Sequence, residues 1–327
     1  MKRLSGLACA VIASVFWTAA AYPQSYPNRP VRVIVPFPPG GGLDIVMRPV
    51  NEKLSAAFGQ SFITDSRPGA DGMIGTQLVA KSPPDGYTLL ASSTGPMVIN
   101  AALNPVLKLN MPYDTLRDFA PITLLVVQPM ALVVHPSLPV KSVKELIAFA
   151  KARPGELNYG SGGIGNGAHL AAEMFRAAAG LQIVHVPYKG AAPAVVDLIS
   201  GRVHMMINSI PVLLRHIRGG KLRPLAVGAD HRMPVLPEVP TMREAGVERF
   251  NAQSWYGFFA PGGTPRDIVA RLNAEASKIL RSKEIRDFLV PQGAEPIGNT
   301  PEEFTAHIAA ELAKWRQAVQ DAGIKGG

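Results

Sequence analysis

Two glycine-rich loops carry the residues whose types and spacing most clearly suggest chemistry. The first loop, residues 36–44, reads Pro-Phe-Pro-Pro-Gly-Gly-Gly-Leu-Asp and follows a buried-strand pattern. The second loop, residues 160–169, reads Gly-Ser-Gly-Gly-Ile-Gly-Asn-Gly-Ala-His and follows another short strand. Each precedes a predicted helix, whose N-terminus has free N–H groups and a partial positive charge. Both loops are therefore predicted to bind an anionic group of a small molecule.

Each loop also has a simpler interpretation. The first loop is compatible with a plain tight turn in which Asp44 caps the helix. The second loop matches G-x-G-x-x-G at residues 160–165, but a dinucleotide site also requires an acidic residue about 20 residues further on. No acidic residue occurs near residues 185–188, and the first later one is Asp197. A second anion-facing helix N-terminus is therefore the better interpretation of this loop.

No sequence motif indicates a known catalytic mechanism. G-x-S-x-G, G-x-x-x-x-G-K-[ST] and H-E-x-x-H are all absent. His169 and Glu173 are spaced as metal ligands on one helix face, but the same spacing is typical of an ordinary helix pair. Ser161 lies near His169, yet no orienting acid is evident. We predict no catalytic residue, no metal site and no cofactor. The alternative is an exported serine hydrolase that uses Ser161 or Ser93.

The composition and the first residues favour an exported protein. Lys2 and Arg3 precede an uncharged apolar run that ends in small residues, which is typical of a signal peptide cleaved after Ala21. Cys9 is the only cysteine and lies in that segment, so the mature chain is predicted to have no disulfide. Removal of Lys2 and Arg3 leaves 31 basic and 24 acidic residues, scattered along the chain. We expect a periplasmic protein that binds no nucleic acid.

Strand and helix patterns alternate along the chain in two series. The pattern over 31–92 is β-α-β-α-β, and a second α/β series follows from about 122 to 227, with separate strands predicted at 122–127 and 131–134. Three helical segments end the chain and are expected to pack back on the first series. We predict an α/β fold of two lobes joined by a two-crossing hinge. The predicted divisions are a signal peptide at 1–21, lobe 1 at 22–126 plus 253–327, and lobe 2 at 127–252.

Short sequence runs along the whole mature chain together resemble one protein family. They include Tyr-Pro-Asn-Arg-Pro-Val-Arg-Val-Ile-Val-Pro-Phe-Pro-Pro-Gly-Gly from residue 26, Arg-Pro-Gly-Ala from 67, Pro-Asp-Gly-Tyr-Thr-Leu-Leu from 84, Val-Pro-Tyr-Lys-Gly from 186 and Trp-Tyr-Gly from 255. Each run is weak evidence, but their order along the chain is specific. The sequence resembles the solute-binding receptors of tripartite tricarboxylate transporters, the Bug-type receptors. Asp71 stands where that family usually has glycine, and we interpret it as lying outside the cleft.

The resemblance implies a fold like that of type II periplasmic binding proteins. It also implies that the two loops hold a ligand carboxylate between the lobes, partly through ordered waters. We expect backbone N–H groups at 40–42 and 161–163 to supply most donors, and Asp44 to orient waters. Ser93, Thr94, Tyr188 and Asn208 are expected to contact the rest of the ligand. The candidate ligand-binding residues are Phe37, Pro39, Gly40, Gly41, Gly42, Asp44, Ser93, Thr94, Ser161, Gly162, Gly163, Gly165, His169, Tyr188 and Asn208.

The expected function follows from the composition, the loops and the resemblance together. The protein is expected to capture a small mono- or dicarboxylate, amino acid or aromatic acid in the interlobe cleft. It would act as a monomer and without enzymatic activity. Its expected partners are membrane permease subunits or a sensor kinase.

Overall fold

The computed structural model describes residues 26–248 and 250–324, so the predicted signal peptide and Ala21 lie outside the described residues. The strands are β1 Val31–Val35, β2 Phe62–Ser66, β3 Thr88–Ser93, β4 Phe119–Val134, β5 Asn158–Ser161, β6 Val184–Pro187, β7 Met205–Ser209, β8 Arg223–Val227, β9 Gln253–Pro261 and β10 Glu295–Pro296. The helices are α1 Gly42–Phe58, α2 Met73–Ala80, α3 Asn100–Leu107, α4 Val143–Ala152, α5 Gly167–Ala179, α6 Ala191–Ile199, α7 Ile210–Arg218, α8 Arg266–Arg281, α9 Lys283–Leu289 and α10 Pro301–Asp321. In the part of the chain described, no helix is both long and apolar enough to span a membrane.

The described strands form a connected sheet with mixed strand directions. Its order is β2-β1-β3-β9-β4-β7-β5-β6, and both β8 and β10 pair with β4. The strands β1, β2 and β3 are parallel to one another, as are β5, β6 and β7. These two parallel groups are the two α/β series expected from the sequence, and the antiparallel strands β4 and β9 join them. We call the half built on β1, β2, β3 and β9 lobe 1, and the half built on β5 to β8 lobe 2.

The long strand β4 passes from one lobe to the other. It pairs with β9 as far as Pro129 and with β7 and β8 from Met130 onward. The prediction of two separate strands at 122–127 and 131–134 is therefore wrong. Proline has no N–H to donate and normally interrupts a central strand. At Pro129, β4 changes from pairing with β9 to pairing with β7, so the N–H that this proline lacks does not end the strand.

Each lobe has its own buried apolar side chains. In lobe 1, Val33 of β1 packs with Leu54 of α1 and Leu272 of α8. In lobe 2, Phe175 of α5 packs with Ile207 of β7. The predicted divisions at 126/127 and 252/253 stay a prediction. Near them the two crossing segments are joined by a hydrogen bond from the N–H of Met130 to the carbonyl of Ala252.

Candidate functional site

The first loop lines a cavity of about 500 Å³ at the carboxyl end of β1. Residues 37–43 form one wall, and Ser93, Ser254 and Tyr256 form the rest. Phe37, Pro39, Gly40, Gly41, Gly42 and Ser93 of the predicted set are brought together here. None of the lining residues is a lysine or an arginine. The cavity offers a small ligand backbone N–H groups, hydroxyls and apolar ring surface.

The N-terminus of α1 supplies the free donors of this cavity. The first helical hydrogen bond runs from the N–H of Ile45 to the carbonyl of Gly41, over 3.0 Å. The N–H groups of Gly42, Leu43 and Asp44 therefore have no acceptor within the helix. These unpaired N–H groups at the start of α1 would stabilise an anion by hydrogen bonds and by the helix dipole.

The donors predicted at Gly40 and Gly41 are used inside the loop. The N–H of Gly40 donates to Oδ2 of Asp44 over 2.8 Å. The N–H of Gly41 donates to the carbonyl of Pro38 over 3.4 Å. Among the three predicted donors, only the N–H of Gly42 has no acceptor within the loop. The free N–H donors therefore belong to residues 42–44 and not to residues 40–42, where the sequence had predicted them.

Asp44 fastens the first loop to α1. It is only 3% exposed, and its Oδ2 also accepts from Nε and Nη2 of Arg48 over 3.0 and 2.9 Å. Burial tends to raise the pKa of this carboxyl, but the hydrogen bonds from Arg48 and Gly40 outweigh burial and hold the pKa below its usual value. Asp44 is therefore a carboxylate at neutral pH and fixes the loop in its open shape.

Tyr256 lines the cavity but was not among the predicted site residues. A Cβ added to Gly42 would lie 2.6 Å from its hydroxyl oxygen, so the ring lies directly against the start of α1. Burial raises the pKa of Tyr256 and outweighs the opposite effect of a hydrogen bond with the Gln128 side chain, so the phenol stays protonated. The residue reaches the site because β9 pairs with β3, with Tyr256 opposite Ser93. No local sequence pattern reports that pairing.

Ser93 and Thr94 are neighbours with different environments. Ser93 lines the cavity. Thr94 is buried, and its Oγ1 accepts from the N–H of Trp255 over 2.8 Å and donates to the carbonyl of Trp255 over 3.3 Å. The Thr94 side chain therefore joins the end of β3 to β9.

The second loop is hydrogen-bonded mainly to itself. Oγ of Ser161 accepts from the N–H of Gly163 over 3.2 Å, and the carbonyl of Gly163, at 3.1 Å, competes with His185 for its one hydroxyl proton. The N–H of Gly165 donates to Nδ1 of His169 over 3.0 Å. Gly162 is closely packed, because an added Cβ would lie 2.3 Å from Nδ2 of Asn166. None of these residues lines the cavity of the first loop.

Three rings stack beside the second loop. The ring centroids of Tyr159 and His185 are 4.9 Å apart, and those of His185 and His169 are 4.0 Å apart. Burial, followed by the nearby His169, lowers the pKa of His185 to about 4, and burial also lowers the pKa of His169. Both imidazoles are therefore neutral at neutral pH. His185 was not among the residues predicted from the sequence. The only signal for it was its position on the strand that follows the second loop.

Ser161 and His185 form a hydrogen-bonded pair of the kind found in hydrolases. Oγ of Ser161 lies 2.7 Å from Nε2 of His185. Ser161 is 0% exposed, however, so a substrate has no approach to its hydroxyl. Within the described residues, no carboxylate is hydrogen-bonded to His185, and no group of three or more His, Cys, Asp and Glu could hold a metal ion.

The predicted selectivity residues of lobe 2 have partners within that lobe. The hydroxyl of Tyr188 donates to Oδ2 of Asp197 over 2.8 Å. Oδ1 of Asn208 accepts from the N–H of Ser209 over 2.8 Å. Neither Tyr188 nor Asn208 lines the cavity of the first loop.

A family model described as the tripartite tricarboxylate transporter family receptor, TctC, matches residues 46–324. The chain belongs to this receptor family. Protein BugT of Bordetella pertussis is 40% identical over 326 residues, which cover 99% of each chain. The resemblance to Bug-type receptors is thus confirmed.

Solved structures similar to this TctC-family receptor have the same fold. The structure of R. palustris Rpa4515 with adipate is 40% identical, with a TM-score of 0.80, over 92% of this chain and 100% of that one. MatC from Rhodopseudomonas palustris with bound malate is 32% identical, with a TM-score of 0.75, over 90% of this chain and 100% of that one. The predicted two-lobe α/β periplasmic-binding-protein fold is confirmed.

Proposed function

We propose that this receptor captures a small carboxylate at the first loop. The observation that carries the proposal is the cavity lined by Gly42 and Leu43, whose N–H groups, like that of Asp44, have no acceptor within the helix, with Ser93 and Tyr256 beside them. A helix N-terminus attracts a carboxylate without a basic side chain. Adipate, present with Rpa4515, and malate, bound to MatC, are both carboxylates, which supports the same ligand class for this chain.

The second loop forms the opposing wall in this proposal. The N–H groups of Gly167 and Ala168 precede the first helical bond of α5, which runs from Leu170 to Asn166. They become available to the ligand when the two lobes close about the segments near residues 127–130 and 252–253. The lobes would then be 22–126 plus 253–327 and 127–252. Closure would present both lobes to a membrane permease at the periplasmic face, or to a sensor kinase.

A thermal unfolding screen tests the proposed function. The mature protein is heated with amino acids, di- and tricarboxylates and aromatic acids. A ligand at 100 times its dissociation constant stabilises the native state by about 2.7 kcal/mol, which gives a visible shift. Mass spectrometry of the denatured sample first establishes whether the protein carries a ligand already. A ligand-free protein that responds to no carboxylate would overturn the proposal.

The Ser161–His185 pair supports a second candidate function, hydrolysis of an ester. Its distance of 2.7 Å is suitable for proton transfer, while the burial of Ser161 and a pKa of about 4 at His185 argue against it. Chromogenic esters supplied to the wild-type protein and to Ser161→Ala decide the matter. Turnover that disappears in the variant would establish the hydrolase, and no turnover in either protein would exclude these esters as substrates.

A further inference from the structure

Three side chains with hydroxyl groups lie on one face of the sheet, at the cavity of the first loop. Ser93 of β3 is paired with Tyr256 of β9, and residues directly opposite each other on neighbouring strands share a face. Side chains alternate between the two faces along a strand, so Ser254 of β9 lies on the same face as Tyr256. All three residues line the cavity. The sheet therefore presents three hydroxyl groups to a ligand held at the start of α1.

Two of these hydroxyls are without a partner. Among the described residues, neither Oγ of Ser93 nor Oγ of Ser254 forms a hydrogen bond. Ser93 is also only 9% exposed, so its hydroxyl has little access to bulk water. A polar group in such a place is costly to leave unpaired. A ligand in the cavity can supply the missing hydrogen-bond partner.

The hydroxyl of Tyr256 lies next to the N–H groups that are proposed to bind the carboxylate. Its oxygen would be 2.6 Å from a Cβ added to Gly42, the first residue of α1. It also forms a hydrogen bond with the side chain of Gln128, a buried residue of β4 that lies opposite Ser254. A substituent on the carbon next to a carboxylate held at α1 would therefore meet this group of hydroxyls.

The chemistry of the lining selects the kind of substituent. Among the described residues, the cavity is lined by no lysine, arginine, aspartate or glutamate. An ammonium group or a second carboxylate placed here would lose water and gain no countercharge. A neutral hydroxyl group both donates and accepts, and so do the hydroxyls of serine and tyrosine. The lining is thus complementary to a hydroxyl group, which a bare methylene cannot replace.

We infer that Ser93, Ser254 and Tyr256 form a subsite for the hydroxyl group of a 2-hydroxy acid. The inference rests on the proposed function, because it requires the ligand carboxylate to lie at the N-terminus of α1. The ligand class is then a 2-hydroxy carboxylate. The unsubstituted acid and the 2-amino acid of the same chain length bind more weakly.

Calorimetric titration with acids that differ at one carbon tests this subsite. Malate, succinate and aspartate share one carbon chain and have a hydroxyl, a hydrogen or an ammonium at carbon 2. The same comparison is made with 2-hydroxyadipate, adipate and 2-aminoadipate, and with mandelate, phenylacetate and phenylglycine. Both enantiomers of each chiral acid are used. In the set that binds most tightly, the hydroxy acid is expected to bind about tenfold more tightly than the other two, since it gains a hydrogen bond in a buried place.

Variants of the serines assign that preference to the subsite. Ser93→Ala and Ser254→Ala each remove one hydroxyl, so each should weaken binding of the hydroxy acid about fivefold and leave the unsubstituted acid unaffected. Ser92→Ala is the matched control. Ser92 is adjacent to Ser93 on β3, but its side chain lies on the opposite face, where its Oγ is buried without a partner. This variant should retain the full preference. Melting temperatures without ligand check that each variant is folded.

The titrations separate failure of the subsite from failure of the proposed function. The subsite would be overturned if the wild-type protein bound the unsubstituted acid or the amino acid as tightly as the hydroxy acid. It would also be overturned if the preference survived in both Ser93→Ala and Ser254→Ala, or if another carboxylate bound and none of the hydroxy acids did. Each of these results would leave the proposed function intact. Failure of every acid to bind the ligand-free wild-type protein would overturn both.

Discussion

The two glycine-rich loops look alike in sequence but differ in what surrounds them. In the first loop, a Cβ added to Gly40 would meet nothing within 4 Å and one added to Gly41 would meet only the carbonyl of Pro38, while Gly42 alone packs closely, against Tyr256. These residues line a cavity in which the N–H groups at the start of α1 have no helical acceptor. In the second loop, glycine allows close packing: an added Cβ on Gly162 would meet Asn166 at 2.3 Å and the backbone of Gly190 and Ala191 at 3.2 Å. The hydroxyl of Ser161 and the ring of His169 take up the hydrogen bonds of this loop.

The difference shows that a glycine-rich loop before a helix has two separate uses. One is the approach of a ligand to the backbone, and the other is the approach of the protein's own side chains and backbone. Substitutions in a loop of the first kind should change the free energy of unfolding little and change ligand affinity more. Substitutions in a loop of the second kind should mainly lower the free energy of unfolding.

The largest expected effect on stability comes from the stacked rings beside the second loop. The folded-state pKa of His185 is about 4, below the value of about 6.5 for an unfolded chain. The unfolded state therefore binds the proton first, and stability is lost as the pH falls from about 6.5 to 4. Because the His185 ring is only partly buried, solvent screening limits this loss to at most about 3 kcal/mol. Chemical denaturation at pH 7 and pH 4 should show this loss in the wild-type protein and a much smaller one in His185→Gln; equal losses in both would contradict it.

A methyl group on Gly162 should destabilise the protein by about 2 kcal/mol, because the added carbon meets Asn166 and two backbone segments. The matched control is Gly41→Ala in the first loop. Its Cβ would meet only the carbonyl of Pro38, at 3.3 Å, and its φ of −74° suits alanine. Urea denaturation should separate the two variants by at least 1 kcal/mol. A similar cost at both positions would remove the proposed distinction between the loops.

Replacement of Asp44 should affect both stability and binding. Asp44→Ala removes the acceptor of the Gly40 N–H and the partner of Arg48, which should cost about 1–2 kcal/mol. The loosened loop should also bind its carboxylate ligand about tenfold more weakly, as measured by calorimetry. The control Arg48→Ala removes the exposed partner alone and should cost less in both measurements. Unchanged affinity in Asp44→Ala would show that the loop needs no fastening.

The smallest expected effect comes from the hydroxyl of Tyr256. Tyr256→Phe removes one neutral donor from the cavity wall and should weaken ligand binding about fivefold. The unfolding midpoint without ligand should change little. A larger loss of stability than of affinity would assign the hydroxyl to the internal packing of lobe 1.

Local features of the fold were accessible from sequence. Gly59 ends α1 in the left-handed conformation, with φ of 66°, and Ser142 caps α4 by accepting from the N–H of Glu145. Such features depend on a few neighbouring residues, so their signals are local. The two alternating series of strand and helix patterns indicated the two-lobe arrangement, and the family resemblance added the likeness to type II periplasmic binding proteins.

The rest of the site depends on contacts between distant segments. Tyr256 reaches the cavity through the pairing of β9 with β3, and His185 reaches Ser161 through the pairing of β6 with β5. No periodicity or spacing in the sequence reports these approaches, since each is determined by the tertiary fold.

A crystal structure of the complex with the tightest-binding acid of the screen tests the central claim most directly. We expect a carboxylate oxygen within about 3.2 Å of at least two of the backbone nitrogens of Gly42, Leu43 and Asp44. A carboxylate held only by the second loop, or by side chains away from α1, would contradict the assignment of the first loop as the site of ligand capture.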